Sequence, residues 1–415
     1  MTTSGNEKRS SSRLASLEEE IQVIIQYWIR ILKIKLGWIN DFDKIVANYA
    51  ATFFMFNTFC SSSKLRKLCN GHNDCVNSIG YSTFDDNQLI CSGSYDNTVR
   101  VWDMKDNKHI QPFNGHSDYV YCVKFSPYHY YNYCQNVICS SSQDKTISFW
   151  NFKGNQQLNT FNGHTNGICS IVFSQFNGGK YLCSGSYDKT IRLWNVETSK
   201  SLHIFKGHEY CVCCVEMSPL QSNSNNNESN NIGVIGGSGY TICSGSHDFT
   251  IRLWDIETAN ELILFKGHEG GAMSVKYGSN ELGNIGGANT ILSGSSDKSV
   301  CLWDIRSGQQ IQMFDGHTNN VNAVEYSPFV VKNDIKTVTS NVICSGSRDN
   351  TIRFWDIRSN KNELYMIEGN SKEFEDYGIK CLTFVSLKKT KNNRQRFNDI
   401  SLIYGLYCGR ICVWR

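Results

Sequence analysis

The stretch Tyr181 to His208, YLCSGSYDKTIRLWNVETSKSLHIFKGH, decides how this chain reads. It holds, in order, a short apolar run, a Ser-Gly-Ser approach, an Asp-Lys turn, an alternating run ending in Trp194, a polar turn and a further run ending in Gly207-His208. Each run is short, rich in Ile, Leu, Val, Phe or Trp, and bounded by turn residues, which is how strands read. Three strands are expected, and no helix.

The pattern recurs along the chain. Gly-His pairs stand at Gly71-His72, Gly115-His116, Gly163-His164, Gly207-His208, Gly267-His268 and Gly316-His317. A Trp closes each following run, at Trp102, Trp150, Trp194, Trp254, Trp303, Trp355 and Trp414, usually with Asp or Asn next. From His72 to His116 is 44 residues and from His164 to His208 is again 44, the roughly 40 to 45 residues of a four-stranded propeller blade. Over about Ser62 to Arg415 this compound motif resembles the WD40 repeat family. The resemblance implies an all-β fold, a seven-bladed β-propeller.

Composition agrees with one repeat domain. The chain has 415 residues, 40% of them hydrophobic, 19% charged and 12% aromatic, which suits a globular, strand-rich core. The net charge of +3 gives no general attraction to nucleic acid or membrane. The 18 cysteines would suggest disulfides in a small secreted chain, but the first twelve residues are polar and carry no apolar leader core. Cys91, Cys139, Cys183, Cys243 and Cys344 share one repeat position, where Cys serves as a small apolar residue. The expectation is reduced thiols in an intracellular compartment, cytoplasmic or nuclear.

Residues 1–15 are Ser-rich and charged and read as a disordered tail. Residues 16–60 read as an N-terminal α-helical extension. Ser16 with Glu19 is a capping-box pattern, and Ile21, Ile24, Ile25, Trp28, Ile31 and Leu32 follow at helical spacing up to Gly37. A second helix is expected from about Asp41 to Phe56. The uncharged run Ile45–Phe59 is shorter than the roughly 20 residues that a membrane span needs. Packing on the propeller is favoured over packing on a partner.

Residues 61–415 form the propeller in this reading. Residues 62–70, SSKLRKLCN, lead into the first Gly-His as SKSLHIFK leads into Gly207, so they read as the last strand of a blade lacking its other three. Those three are CLTFVSL, ISLIYG and RICVWR, within 378–415. The strand count balances only if 62–70 completes that seventh blade, which also removes the open sheet edges of a linear array.

By the resemblance, the Gly-His histidine, a strand Ser, the turn Asp and the Trp indole form a buried hydrogen-bond chain. By position the sets are His72, Ser92, Asp96, Trp102; His116, Ser140, Asp144, Trp150; His164, Ser184, Asp188, Trp194; His208, Ser244, Asp248, Trp254; His268, Ser293, Asp297, Trp303; and His317, Ser345, Asp349, Trp355. His, Ser and Asp together invite a hydrolase reading. It is set aside because the set repeats and no unit carries a G-x-S-x-G elbow. The seventh unit is eroded: Asn370 replaces His, Cys408 replaces the turn Asp, and Arg415 follows Trp414.

Length varies between the first and second strands of each unit, in loops expected on the wider face. These are SPYHYYNYCQN near Tyr128, the Asn-rich segment Pro219–Gly239, GSNELGNIGGAN, SPFVVKNDIKTVTSN and KKTKNNRQRFND. The last holds Lys388, Lys389, Lys391, Arg394 and Arg396, read as a solvated basic loop. The opposite, narrow face carries short loops with fixed side chains. There Tyr95, Tyr119, Tyr187, Tyr210, His247 and Arg348 are the candidate partner-binding rim, because Tyr and Arg supply area and a polar tip together.

No metal site is expected. His208, Cys211, Cys213 and Cys214 lie close in sequence, but strand alternation turns Cys214 away and His208 belongs to the polar chain. No phosphate-binding Gly loop occurs, and no cofactor is expected. The reading is a non-catalytic scaffold, not an enzyme, that binds other proteins or peptides within a larger complex, with no membrane span and no direct contact with nucleic acid. The alternative is a recognition subunit, of the ubiquitin-ligase receptor or chromatin-reader kind, using the narrow face.

Overall fold

The computed structural model describes residues 56–415 apart from 62–63, 83, 85–87, 105–107, 176, 219–240, 279–289, 329–331, 334–335, 338–341, 358–362, 370–377 and 387–399. Seven four-stranded antiparallel sheets form the blades. The third blade runs from Ile168–Phe173 innermost, through Tyr181–Ser186 and Thr190–Asn195, to Lys200–Lys206 outermost. The seventh runs from Ile379–Ser386 through Ile400–Leu406 and Ile411–Trp414 to Leu65–Cys69. There Leu65 pairs with Trp414 and Cys69 with Ile411. The innermost strands touch in a closed ring, with Val76–Tyr81 of the first blade against Ile379–Ser386 of the seventh. The chain is a seven-bladed β-propeller.

Burial explains the composition of each strand. Second strands lie between neighbouring blades and are covered on both faces, so Leu89–Ser94, Val137–Ser142, Thr241–Ser246 and Val342–Ser347 are buried throughout. The shared Cys position lies here, and Cys91, Cys139, Cys183, Cys243 and Cys344 are fully buried. Burial pushes these thiols up. No disulfide occurs among the described residues. The outermost strand Lys200–Lys206 is largely open to solvent, and only Phe205 is buried.

That Phe is a blade-to-blade device. It closes the outermost strand and packs on the next blade's Trp, with ring centroids 5.7 Å apart for Phe113–Trp150, 5.6 Å for Phe161–Trp194 and 6.0 Å for Phe205–Trp254. Gly163, two residues after Phe161, lies so close to the indole edge of Trp194 that a Cβ would stand 3.0 Å from it. The Gly of Gly-His is thus a residue of close approach. Lys276 adds a polar tie between blades, its Nζ 3.4 Å from both Glu216 and Glu325.

Residues 56–61 are helical. Phe56 and Phe59 are buried against Phe354, with centroids at 5.2 and 6.4 Å, and Tyr365 Oη donates to the Cys60 carbonyl at 3.4 Å. This end of the expected helical segment packs on the sixth blade, beside the seventh. The tail 1–15 and the helices expected over 16–55 lie outside the described residues. So do the Asn-rich segment, most of GSNELGNIGGAN, Asn370 and the basic loop from Lys388 to Arg396. The segment near Tyr128, read as a loop, is a helix over Pro127–Tyr133. Pro at its first turn and the left-handed Cys134 at its end bound it. Tyr130 stacks on Phe84 of the first blade's loop at 4.7 Å. Among the described residues no helix is long and apolar enough to cross a membrane.

Candidate functional site

The hydrogen-bond chain forms in six blades. In the third, the Trp194 indole N–H donates to Ser184 Oγ at 2.8 Å, and Ser184 Oγ lies 2.8 Å from His164 Nε2. His164 Nδ1 lies 2.7 Å from Asp188 Oδ2. An ionised carboxylate only accepts, so Nδ1 carries the proton, Nε2 accepts, and the Ser hydroxyl donates to it. The other carboxylate oxygen takes the Thr190 hydroxyl at 2.6 Å and the Thr190 N–H at 3.0 Å. The remaining sets repeat this: His72 with Ser92 and Asp96, His116 with Ser140 and Asp144, His208 with Ser244 and Asp248, His268 with Ser293 and Asp297, His317 with Ser345 and Asp349. Trp102, Trp150, Trp254, Trp303 and Trp355 donate to their serines in the same way. Burial pushes the aspartates up, but hydrogen bonds from His and from Thr or Ser outweigh it and hold these carboxyls well below the usual range.

The Ser-Gly-Ser motif resolves into three roles. Ser184 is the relay, Gly185 admits Val212 and Val215 of the next blade, and Ser186 Oγ donates to the Gly167 carbonyl at 2.8 Å while accepting from the Asp188 N–H at 3.1 Å. After each turn Asp the backbone is left-handed, at Asn97, Lys145, Lys189, Phe249, Lys298 and Asn350, and at Gly409 after Cys408. In the seventh blade Tyr404 takes the Ser position, opposite Cys412, and is buried.

These turns build a rim with a rule. In every blade the residue before the turn Asp, or before Cys408 in the seventh, donates its backbone N–H to the carbonyl of the residue just before the innermost strand. The pairs are Tyr95 to Cys75, Gln143 to Tyr119, Tyr187 to Gly167, His247 to Cys211, Ser296 to Gly271, Arg348 to Asn320 and Tyr407 to Gly378. The innermost strand then skips one residue in register, leaving Asn77, Tyr121, Cys169, Cys213, Met273, Asn322 and Lys380 without a cross-strand partner. Such a bulge re-aims a side chain. Each blade therefore brings three positions together at this end of the ring, and all three carry side chains except where Gly167, Gly271 and Gly378 precede the innermost strand.

In the first three blades the result is aromatic. Tyr95 lies 4.6 Å from Tyr119 and 5.9 Å from Tyr121, and Tyr121 lies 5.7 Å from Tyr187. Tyr121 Oη donates to Gln143 Oε1 at 3.3 Å. Across the sixth and seventh blades it is cationic: the Arg348 guanidinium and the Lys380 ammonium lie 5.4 and 5.7 Å from the Tyr407 ring. Burial opposes charge on Lys380, but Tyr407, Tyr95 and Cys75 raise its pKa. Tyr210 stands apart, 60% exposed, with Lys189 Nζ 5.6 Å from its ring. Phe249 is exposed and left-handed on the same face. In the fourth blade the three side chains are Cys211, Cys213 and His247, whose donor atoms lie within 4.8 Å of one another. The hydrogen bond from Cys213 pulls the Cys211 thiol down, and Cys211 raises His247.

Of the sequence candidates, the structure brings Tyr95, Tyr119 and Tyr187 together through Tyr121, and Arg348 beside Tyr407. Tyr121, Tyr407 and Lys380 were missed. Their signal is positional, the second residue of each innermost strand and the residue before Cys408, and it surfaces only once the seventh blade is aligned with the others. His247 was not grouped with Cys211 and Cys213, because 33 residues of sequence separate it from Cys213.

The family profile described as "WD domain, G-beta repeat" matches residues 63–103, 107–151, 155–195, 199–255, 260–304 and 308–356. Over 63 residues, 15% of this chain, it is 40% identical to a ribosome biogenesis protein WDR12 homolog of Trichoplax adhaerens. Over 57 residues, 14% of this chain, it is 39% identical to WD repeat and SOCS box-containing protein 1 of Danio rerio. These matches span only 14% and 13% of the two relatives' lengths.

Proposed function

The chain belongs to the WD40 repeat family, whose propellers bind other proteins, and from that premise we propose that it is a non-catalytic scaffold assembling a multiprotein complex inside the cell. Ribosome biogenesis and SOCS-box function belong to the two relatives, whose matched stretches are little longer than one repeat.

The observation that carries the reading is the joined Tyr95, Tyr119, Tyr121 and Tyr187 rings, continued by Arg348 and Lys380 around Tyr407. Tyrosine and arginine on short, hydrogen-bonded loops lose little freedom on docking and offer apolar area with polar tips. The two cations select an acidic or C-terminal carboxylate group on the bound peptide. The serines speak against a hydrolase built on the repeated set: each relay Ser is buried, with its hydroxyl held between Trp and His, so it lacks the access of a nucleophile. The near-balanced charge gives no general attraction to nucleic acid.

Affinity capture of the intact protein against a Tyr187→Ala/Arg348→Ala variant tests this. Loss of partners with the fold retained supports docking on this face. Loss of a single partner while all others remain favours the peptide-recognition subunit, to which the Arg348–Tyr407 contact points. Retention of every partner removes the Gly-His face from the proposal, and turnover abolished by one non-repeated residue would replace the scaffold with an enzyme.

A further inference from the structure

The three-residue rule of the rim gives the fourth blade a donor set unlike the others. Cys211 precedes the innermost strand, Cys213 is its bulged residue, and His247 precedes the turn Asp. Among the described residues this is the group of His, Cys, Asp or Glu whose donor atoms converge within metal-ligand reach. We propose that Cys211, Cys213 and His247 bind one zinc ion at the mouth of the channel, with water in the fourth coordination position.

Two sulfurs and an imidazole, with no carboxylate, suit zinc and reject magnesium or calcium. Tetrahedral zinc with Zn–S near 2.3 Å and Zn–N near 2.0 Å needs donor separations of roughly 3.5 to 3.8 Å. Donor atoms that already lie within 4.8 Å of one another need close by no more than roughly 1.0 to 1.3 Å to reach that range. The His247 N–H donates to the Cys211 carbonyl at 3.0 Å, so these two residues cannot drift apart. Gly271 of the next blade lies against the imidazole, where a Cβ would stand 3.2 Å from its Cδ2 and crowd the ring. Neither neighbour in sequence competes. His208 is held by Asp248 and Ser244, and Cys214 turns inward with its Sγ 3.9 and 3.8 Å from the Gly245 and Ala272 carbonyls. Three protein ligands with an exposed His247 leave the fourth position to solvent. Each thiol gives up its proton to the buffer as it ligates.

The proposal goes beyond scaffold function and does not depend on it, so its failure and that of the docking reading are separable. The test uses the intact chain under reducing conditions, stripped with chelator and titrated with zinc against a competing chelator, and separately with cobalt(II) followed by absorption. One equivalent should bind, cobalt giving the thiolate charge-transfer band and the visible bands of a tetrahedral site. His247→Ala should lower affinity at least about tenfold and Cys213→Ser should weaken the charge-transfer band, while Cys134→Ser, at an exposed cysteine elsewhere, should change neither. His247 is exposed, so its variant folds even where Cys213→Ser does not. Equal affinity in wild type and His247→Ala, or no stoichiometric binding in wild type, overturns the proposal.

Discussion

Lys64 and Arg415 exchange two backbone hydrogen bonds, Lys64 N–H to the Arg415 carbonyl at 2.8 Å and Arg415 N–H to the Lys64 carbonyl at 3.0 Å. This pair begins the ladder between Leu65–Cys69 and Ile411–Trp414, which closes the ring in the blade whose polar chain is eroded. Strand pairing carries the closure there. Removing residues 411–415 should expose both the Leu65–Cys69 edge and the edge of Ile400–Leu406. The expected outcome is a lower urea midpoint and association seen by light scattering, and an unchanged midpoint would disprove it.

The Ser184 hydroxyl serves Trp194 and His164 at once. Ser184→Ala leaves a buried indole N–H and a buried imidazole nitrogen unmatched, and should cost about 1–3 kcal/mol. Trp194→Phe added to it should cost less than Trp194→Phe alone, apart from lost area, because the donor it removes is already orphaned. A double-mutant cycle by chemical denaturation reads the difference, and strict additivity would refute the linkage.

Six aspartates have their folded carboxyls held below the unfolded value of about 4. A depressed folded pKa contributes stability that is complete above the unfolded pKa and is lost as pH falls through the folded one. The propeller should hold its stability down to about pH 4 and lose it steeply below, toward the range where Asp144 titrates at about 2. Asp144→Asn should flatten that slope in denaturation series at successive pH values, and an unaltered slope would count against the account.

Phe249 holds a left-handed backbone, φ 69°, where other blades place Asn97 or Asn350. A left-handed conformation strains a bulky L-residue by about 1–2 kcal/mol. Phe249→Asn should therefore raise stability by roughly 0.5–1 kcal/mol. A lower melting temperature would show that the exposed ring makes up for its strain.

Phe56 is 1% exposed against Phe354. Phe56→Ala should cost about 3 kcal/mol, and deletion of residues 1–61 should cost at least as much, read from chemical denaturation. A deletion variant of undiminished stability would show that this helix is not part of the propeller's core.

The repeat was legible because its signals are local. Trp194, Asp188 and Gly163 each sit at a place where one residue type fits: an indole that must donate, a turn that needs a carboxylate, a backbone pressed against a ring. Strand runs and turn residues express such needs within a few positions, so the seven blades could be read from residue order, while the membership of each hydrogen-bond chain came from the family resemblance carried onto these positions. The helix over Pro127–Tyr133 could not, since its tyrosines are held by Phe84 on another blade. Nor could the rim: Tyr121 meets Tyr95 and Tyr187, Arg348 meets Tyr407, and His247 meets Cys211 only because a skipped register and one backbone hydrogen bond bring distant residues to the same mouth. Residue order determined the periodic backbone, and the family resemblance implied its buried polar ties. The ring's closure decided which side chains become neighbours, because spatial adjacency between blades is set by packing across sheets and not by position along a strand.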